Sequence, residues 1–292
     1  MRIRADASTR WRTVRPRQLP QLLDILRPRE WGCVTFTSRL HRNGAPTLPR
    51  LSGARILGVW DDSASMRGAV MATRGGMIVP CIESRLLAAG GDAQALEGFL
   101  TRGTISMVMG VQWQVDGLCD LIRRKPTHTV RYHLMTIDPK SKAADHSPPS
   151  LQIRPAVPAD LLALLPLQCA YEEEEVLLPG RTINRTVAAR NLAHRLQTQR
   201  VFVALDGETP VAMAGTNARG FDFDQVGGVY TVPAHRNRGI SRHLMRVLME
   251  QANTDCKQLC LFVKPQNGAA CTLYRNLGFT VRDWFSITYY AV

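Results

Sequence analysis

The sequence predicts an α/β (α+β) protein of two domains, and three observations predict it. At 292 residues, 45% of them hydrophobic, the chain is long enough to bury two ordinary cores. A polar, proline-bearing stretch without apolar period, residues 138–149, interrupts it. On either side, short β-rich runs alternate with apolar residues at helical spacing. The expected organisation is a basic, disordered extension at 1–18, a first domain at 19–138, a linker at 139–150 and a second domain at 151–292.

The second half reads element by element. Residues 151–154 form a strand run. Asp160 precedes Leu161, Leu162, Leu164, Leu165 and Leu167, which give a helix an apolar face, and 187–196 reads as a second helix. Strand runs at 200–205 and 211–216 meet through Asp206-Gly207, a hairpin signal. A further strand run, 225–232, ends at Pro233, which has no N–H to continue a ladder. Leu244, Val247 and Leu248 then mark a helix over 239–253. A short buried strand at 260–264 leads to Asn267 as N-cap or turn residue, a helix at 269–276 and Gly278 as its C′ residue, before 279–290 returns as one or two strands. The order is strand, two helices, three strands, helix, strand, helix, strand.

The most informative segment is 229–241. A helix beginning near Gly239 leaves four N–H groups without intrahelical partners, and its dipole adds positive potential there. Arg236 and Arg238 place full charges alongside, Gly239 has no Cβ to obstruct a close approach, and Ser241 offers a hydroxyl in the first turn. This is a candidate phosphate cradle, although a loop glycine with basic neighbours is often only a turn.

At these residues the chain resembles the GNAT superfamily of acyl-CoA-dependent N-acyltransferases. Arg236-Asn237-Arg238-Gly239-Ile240-Ser241 is similar to the family's Arg/Gln-x-x-Gly-x-Gly/Ala motif, with Ser241 where Gly or Ala is usual. Asn267 with Leu273-Tyr274-Arg275-Asn276-Leu277-Gly278-Phe279 is similar to its following strand–helix motif. The resemblance covers 151–292 and implies a mixed, mostly antiparallel sheet flanked by helices. It implies that the backbone of Tyr230, Thr231 and Val232 holds the pantetheine arm and thioester carbonyl of acetyl-CoA. Residues Arg236 to Arg242 would hold its pyrophosphate and Asn267 its arm, with Tyr274 as general acid. Tyr274 also has a plain alternative as core packing; a phenol of ordinary pKa near 10 is protonated at neutral pH in either case.

Transfer to an amine requires a neutral nucleophile, a polarised carbonyl and a proton for the departing thiolate. Base candidates are Glu172 and Glu175, within Glu172-Glu173-Glu174-Glu175, where crowded carboxylates attract cations and raise one another's pKa; a solvated helix end is the simpler reading of such a run. Asn217 and Gln225, on neighbouring strand runs, are candidates for orienting the acceptor or a water. The expected reaction is direct transfer in a ternary complex, from acetyl-CoA to a small amine, a peptide N-terminus or a protein lysine. The alternative is a non-catalytic acyl-CoA sensor whose basic N-terminal half contacts a partner.

The first half gives helices at 19–26 and 30–40, strands at 55–60, 68–72 and 77–81, a helix at 93–100, a strand at 105–110, a helix at 112–122 and a strand at 131–137. That is nearly the order of the second half, so a degenerate GNAT-like domain is expected. Nothing between 80 and 93 matches the phosphate motif, so this half is expected to act as scaffold or substrate-side wall and not to bind CoA.

Charge is uneven: residues 1–147 carry a net +10 and residues 148–292 a net +3, and the first eighteen residues hold six arginines and one aspartate. Such a tail can meet nucleic acid, anionic lipid or acidic protein, but no recognition module accompanies it, and nucleic acid is not expected as a partner. No run approaches the roughly 18 apolar residues needed to span a bilayer. Seven scattered cysteines make neither a disulfide framework nor a metal site, so no metal and a cytoplasmic setting are expected; the oligomeric state is open.

Overall fold

The computed structural model describes residues 10–42, 45–48, 53–83, 93–137 and 151–291. The expected linker at 139–150 and the first nine residues of the basic extension lie outside these. The described chain separates into two compact units: residues 1–134 with 282–292, and residues 135–281.

Unit 1 begins with strand β1, Arg10–Thr13, which lies in the stretch expected to be disordered. It pairs antiparallel with β4, Ala54–Trp60, and its one inward side chain, Trp11, is buried. Helix α1, Leu19–Leu26, matches its expected range, with Leu22 and Leu26 inward. The helix expected at 30–40 is instead a 3-10 segment, Arg27–Gly32, followed by α2, Val34–Leu40; Cys33, at φ −141°, breaks it. A two-residue ribbon, β2 (His41–Arg42) with β3 (Ala45–Pro46), follows.

Strands β5 (Met66–Thr73) and β6 (Met77–Ile82) continue the antiparallel meander from β4. Helix α3 (Ala93–Thr101), strand β7 (Met107–Val111), helix α4 (Gln112–Leu121) and strand β8 (His128–Ile137) complete the first half. β7 runs parallel to β6. Leu96, Phe99 and Leu100 of α3 and Val115 and Leu118 of α4 pack with Leu57, Val59, Val70 and Ala72. The alternate β5 residues Ala69 and Met71 are also fully buried, and α1 lies along that strand, so the sheet is covered on both faces.

Unit 2 contains β9 (Gln152–Pro155), α5 (Leu161–Tyr171), α6 (Arg185–Thr198), β10 (Val201–Asp206), β11 (Thr209–Arg219), β12 (Phe223–Thr231), α7 (Ile240–Thr254), β13 (Gln258–Val263) and α8 (Gly268–Asn276). The observed order is the expected one. β9 to β12 pair antiparallel and β12 pairs parallel with β13, giving the mixed, mostly antiparallel sheet. The Asp206-Gly207 turn joins β10 to β11, with Gly207 at φ +59° as such a turn requires. Alternation along β11 sorts the core: Ala212 and Ala214 face the cluster containing Leu244 and Leu248 of α7, while Met213 faces Leu164, Leu167 and Leu192 of α5 and α6.

The last strand, β14 (Thr280–Tyr289), pairs antiparallel with β7 through Phe285 to Tyr289. Residues 282–292, expected in the second domain, therefore group with unit 1, and Met135 and Ile137 group with the core of unit 2.

Candidate active site

The site is built where β12 leaves β13. Their parallel ladder covers only Phe223 to Val226 against Gln258 to Leu261, although both strands run on. Gly227 and Gly228 end it. Gly228 sits at φ +64°, and the β11–β12 register shifts on either side of this point, the signature of a bulge. The absent side chains are occupied by neighbours: a Cβ on Gly227 would meet the Asn217 amide at 1.9 Å, and one on Gly228 would meet the Arg195 guanidinium at 2.5 Å. Beyond Val226, β12 presents its β13-facing edge with no ladder partner from that strand, and a gap opens between the two strand ends.

One rim of the gap is the turn into α7. The chain leaves β12 through a 3-10 turn, Pro233–His235, then places Asn237 at φ +63° and Gly239 at φ +75° before Ile240. The His243 N–H takes the Gly239 carbonyl, so the N–H groups of Ile240, Ser241 and Arg242 precede the first intrahelical bond. A Cβ at Gly239 would meet nothing within 4 Å. The cradle is therefore open where a diphosphate would approach. Arg238 is exposed and Arg242 half-buried, and among the described residues neither forms an ion pair. Ser241 does not face outward alone: its hydroxyl and that of Thr231 lie 2.7 Å apart, tying strand end to helix start.

Arg236 behaves differently from its neighbours. Its Nε donates to the Thr231 carbonyl at 3.0 Å, and one terminal nitrogen donates to both carboxylate oxygens of Glu174, at 2.8 and 3.0 Å. The Tyr230 hydroxyl donates to the same carboxylate at 2.9 Å, and the Arg236 guanidinium lies 5.5 Å from the Tyr230 ring centre. Burial and the Glu174 charge both push the Tyr230 phenol above its ordinary pKa. For Arg236, burial works against the charge, but Glu174 outweighs it and the guanidinium is held more firmly protonated.

The opposite rim is the start of α8. Asn267 caps it, its Oδ1 accepting from the Ala270 N–H at 2.9 Å, and its Nδ2 donates to Glu175 at 2.7 Å. Tyr274, about two helix turns on, is only 7% exposed. Burial foremost, and then Tyr171 and Glu175, raise its pKa well above the ordinary phenol value taken in the sequence reading, and among the described residues its hydroxyl makes no hydrogen bond. The ring meets Phe279 edge-on at 5.9 Å, so its core-packing role is real alongside any chemical one.

The four glutamates form a π-helical turn, Glu172–Val176, that prolongs α5. This turn separates them. Glu175 reaches Asn267 and the Tyr274 side of the gap, and Glu174 reaches Arg236. Glu172 instead accepts from Gln168 at 2.7 Å, and Gln168 in turn accepts from Arg195 at 3.0 Å. Glu172 is thus tied to the α5–α6 packing, apart from Tyr274. Gln225 is buried within the paired part of β12, and Asn217 is exposed above Gly227.

Sequence reasoning did not single out Glu174, Tyr171 or Arg195. Burial raises the Tyr171 phenol above its ordinary pKa, the Arg195 charge and the Gly228 backbone work against that, and Glu175 adds to it. Arg195 donates to the Gly227 carbonyl at 3.3 Å and is itself lowered in pKa by burial. The Gly227-Gly228 pair within a strand run was the one local signal for this arrangement.

Comparison with known proteins places the fold and the family of the second half. Residues 166–279 match the family model described as acetyltransferase (GNAT) family. A GNAT-family acetyltransferase from Colwellia psychrerythraea superposes with a TM-score of 0.54 at 11% identity, over 97% of this chain and 100% of that one. A Drosophila protein superposes with a TM-score of 0.60 at 14% identity, over 96% and 98%. A predicted acetyltransferase from Clostridium acetobutylicum, solved with acetyl-CoA, aligns over 46% of this chain and 92% of its own at 18% identity and a TM-score of 0.39. No curated protein matches the sequence. The full-length superpositions bear out the expected fold for both halves of the chain. The segment that holds the α7 cradle and the α8 cap, residues 166–279, is an acetyltransferase domain of the GNAT family.

Proposed function

We propose that unit 2 is an N-acyltransferase that moves an acetyl group from acetyl-CoA to an amine by direct transfer, in the cytoplasm. The observation that carries this reading is the parting of β12 from β13 at Val226, beside a helix start whose Gly239 opens onto free space. The residues present fit the group: N–H donors from Gly239 to Arg242 and the charges of Arg238 and Arg242 suit a diphosphate, and the unpaired edge of β12 toward Thr231 suits an amide-bearing arm. Acetyl-CoA, when bound, supplies the activated thioester carbonyl.

The chain's own residues then have three tasks. Backbone N–H groups at the end of β12 polarise the carbonyl. Glu175, oriented by Asn267, takes a proton from the acceptor ammonium, directly or through a water, so that its nitrogen lone pair can attack the carbonyl carbon. As the C–S bond breaks, Tyr274 donates its phenolic proton to the departing sulfur, and the second proton shed by the attacking nitrogen returns to the phenolate, leaving a neutral amide and a free thiol. Burial supports that role, because it keeps the phenol protonated across the working pH range. Glu172 takes no part in this scheme. Asn217 is retained as an acceptor-side contact, since it borders Gly227, whereas Gln225 is enclosed by the paired strands and serves the sheet.

Candidate acceptors are a small amine, a peptide N-terminus or a protein lysine. Thiol-release assays with acetyl-CoA against a panel of all three test the reading. Release with at least one acceptor supports it; tight acetyl-CoA binding without release by any of them would leave an acyl-CoA sensor instead.

A further inference from the structure

The acidic turn Glu172–Val176 is tied to both rims of the gap by two adjacent residues. Glu175 accepts from Asn267 at 2.7 Å on the α8 rim, and Glu174 accepts from Arg236 at 2.8 and 3.0 Å on the α7 rim. Glu175 is the base of the proposed reaction, whereas Glu174 has no task in it.

An ion pair between two partly exposed side chains contributes little by itself. This one is held by more than its charges. The Glu174 carboxylate takes a third bond, from the Tyr230 hydroxyl at 2.9 Å, and Tyr230 is buried. Arg236 is fixed in its turn, because its Nε donates to the Thr231 carbonyl at 3.0 Å and its guanidinium lies 5.5 Å from the Tyr230 ring centre. Both partners are therefore anchored on the last two residues of β12.

Charge separates two roles that Arg236 could have. A guanidinium that serves a diphosphate keeps its charge uncommitted, as Arg238 and Arg242 do, for among the described residues neither forms an ion pair. Arg236 touches a carboxylate, so the pair presents no net charge to an anion in the cradle.

We propose that Glu174 and Arg236 are positioning residues: they form a clasp that holds the acidic turn against the end of β12 and so fixes Glu175 beside Asn267, and Arg236 serves that turn rather than the diphosphate. The role of Glu175 rests on the acyl-transfer reading; the clasp and its charge balance do not.

The full chain is compared with Arg236→Gln, Glu174→Gln and the double variant, with Arg236→Lys as the conservative control. In calorimetry with acetyl-CoA, Arg236→Gln should bind about three- to tenfold more weakly, because the Glu174 charge is left unopposed beside the cradle. The double variant, in which that charge is gone as well, should bind within about twofold of native. A direct diphosphate ligand predicts instead a double variant as weak as Arg236→Gln. Amide hydrogen exchange over residues 172–177 should rise about fivefold or more in each single variant and little further in the double, since each removes the same clasp, while exchange along α7 stays native. Thiol release should fall about tenfold or more in all three, with Arg236→Lys recovering part of the loss. If the native chain neither binds acetyl-CoA nor releases thiol, the acyl-transfer reading fails and exchange alone decides the clasp. The proposal is overturned if exchange of the turn stays native in the single variants, if the double variant binds acetyl-CoA as weakly as Arg236→Gln, or if turnover stays native while exchange rises.

Discussion

Tyr274→Phe separates chemistry from packing at the candidate site. The ring is 93% buried against Phe279, and phenylalanine keeps that contact, so no cavity forms. The hydroxyl has no hydrogen-bond partner among the described residues, so its removal forfeits none of the roughly 0.5–1.5 kcal/mol that a made bond contributes. Stability should therefore hold within about 0.5 kcal/mol. The rate should respond quite differently. A positioned general acid contributes roughly 10² to 10⁴-fold, about 3–5 kcal/mol of barrier. Turnover with the best amine should fall by that factor, with the Kd for acetyl-CoA unchanged within about twofold. Because the native phenol is held above its ordinary pKa, activity should not decline through pH 9–10 from its ionisation. Stopped-flow thiol release, calorimetry and thermal melts on the same preparations give the three readouts. A variant with native turnover and native affinity would refute the assignment of the proton donor.

Other perturbations probe the scaffold around it. Gly239→Trp places a bulky side chain in open space at φ +75°; it should cost about 1–2 kcal/mol in a melt but weaken acetyl-CoA binding at least tenfold, and unchanged affinity would remove the cradle from the site. Gly228→Ala combines φ +64° with a Cβ 2.5 Å from a guanidinium fixed by Gln168 and Gly227, so chemical denaturation should show a loss of about 2–3 kcal/mol; a loss under about 1 kcal/mol would mean that Arg195 moves aside freely. Asp160 accepts from Arg154 at 2.7 and 2.8 Å and from the Val157 N–H at 2.8 Å, and the Arg154 bond holds its carboxyl below the ordinary pKa. Its stabilisation is present above about pH 4 and is lost as pH falls toward the lowered folded value, so Asp160→Asn should cost about 1 kcal/mol at pH 7 and progressively less below pH 4; a gap that stays constant down to pH 3 would contradict this.

The cradle was legible because its causes are local. Pro233 ends the strand, Gly239 permits the left-handed turn, and the arginines lie within three residues of it, so sequence spacing alone assembles the feature. The capping role of Asn267 is equally local. Glu174 was hidden among four identical neighbours, because what distinguishes it is a partner 62 positions away, and the π-helical turn that aims it at Arg236 has no sequence mark. Tyr171 and Arg195 were hidden for the same reason, since their meeting depends on α5 and α6 packing beside a bulge. The strand at Arg10–Thr13 was missed because only Trp11 of its four residues turns inward, and one apolar residue among arginines shows no period. The helix expected at 30–40 broke at Cys33, directly after Gly32, a weak helix former within the expected range.

Because Arg282–Val292 groups with the unit that begins the chain, neither half of the gene encodes a whole unit. Expression of residues 1–137 alone would leave β7 without the strand that pairs with it through Phe285 to Tyr289, a bare edge inviting aggregation. Any attempt to divide this protein for separate assay is therefore better served by a permuted gene, in which the final eleven codons travel with the first segment.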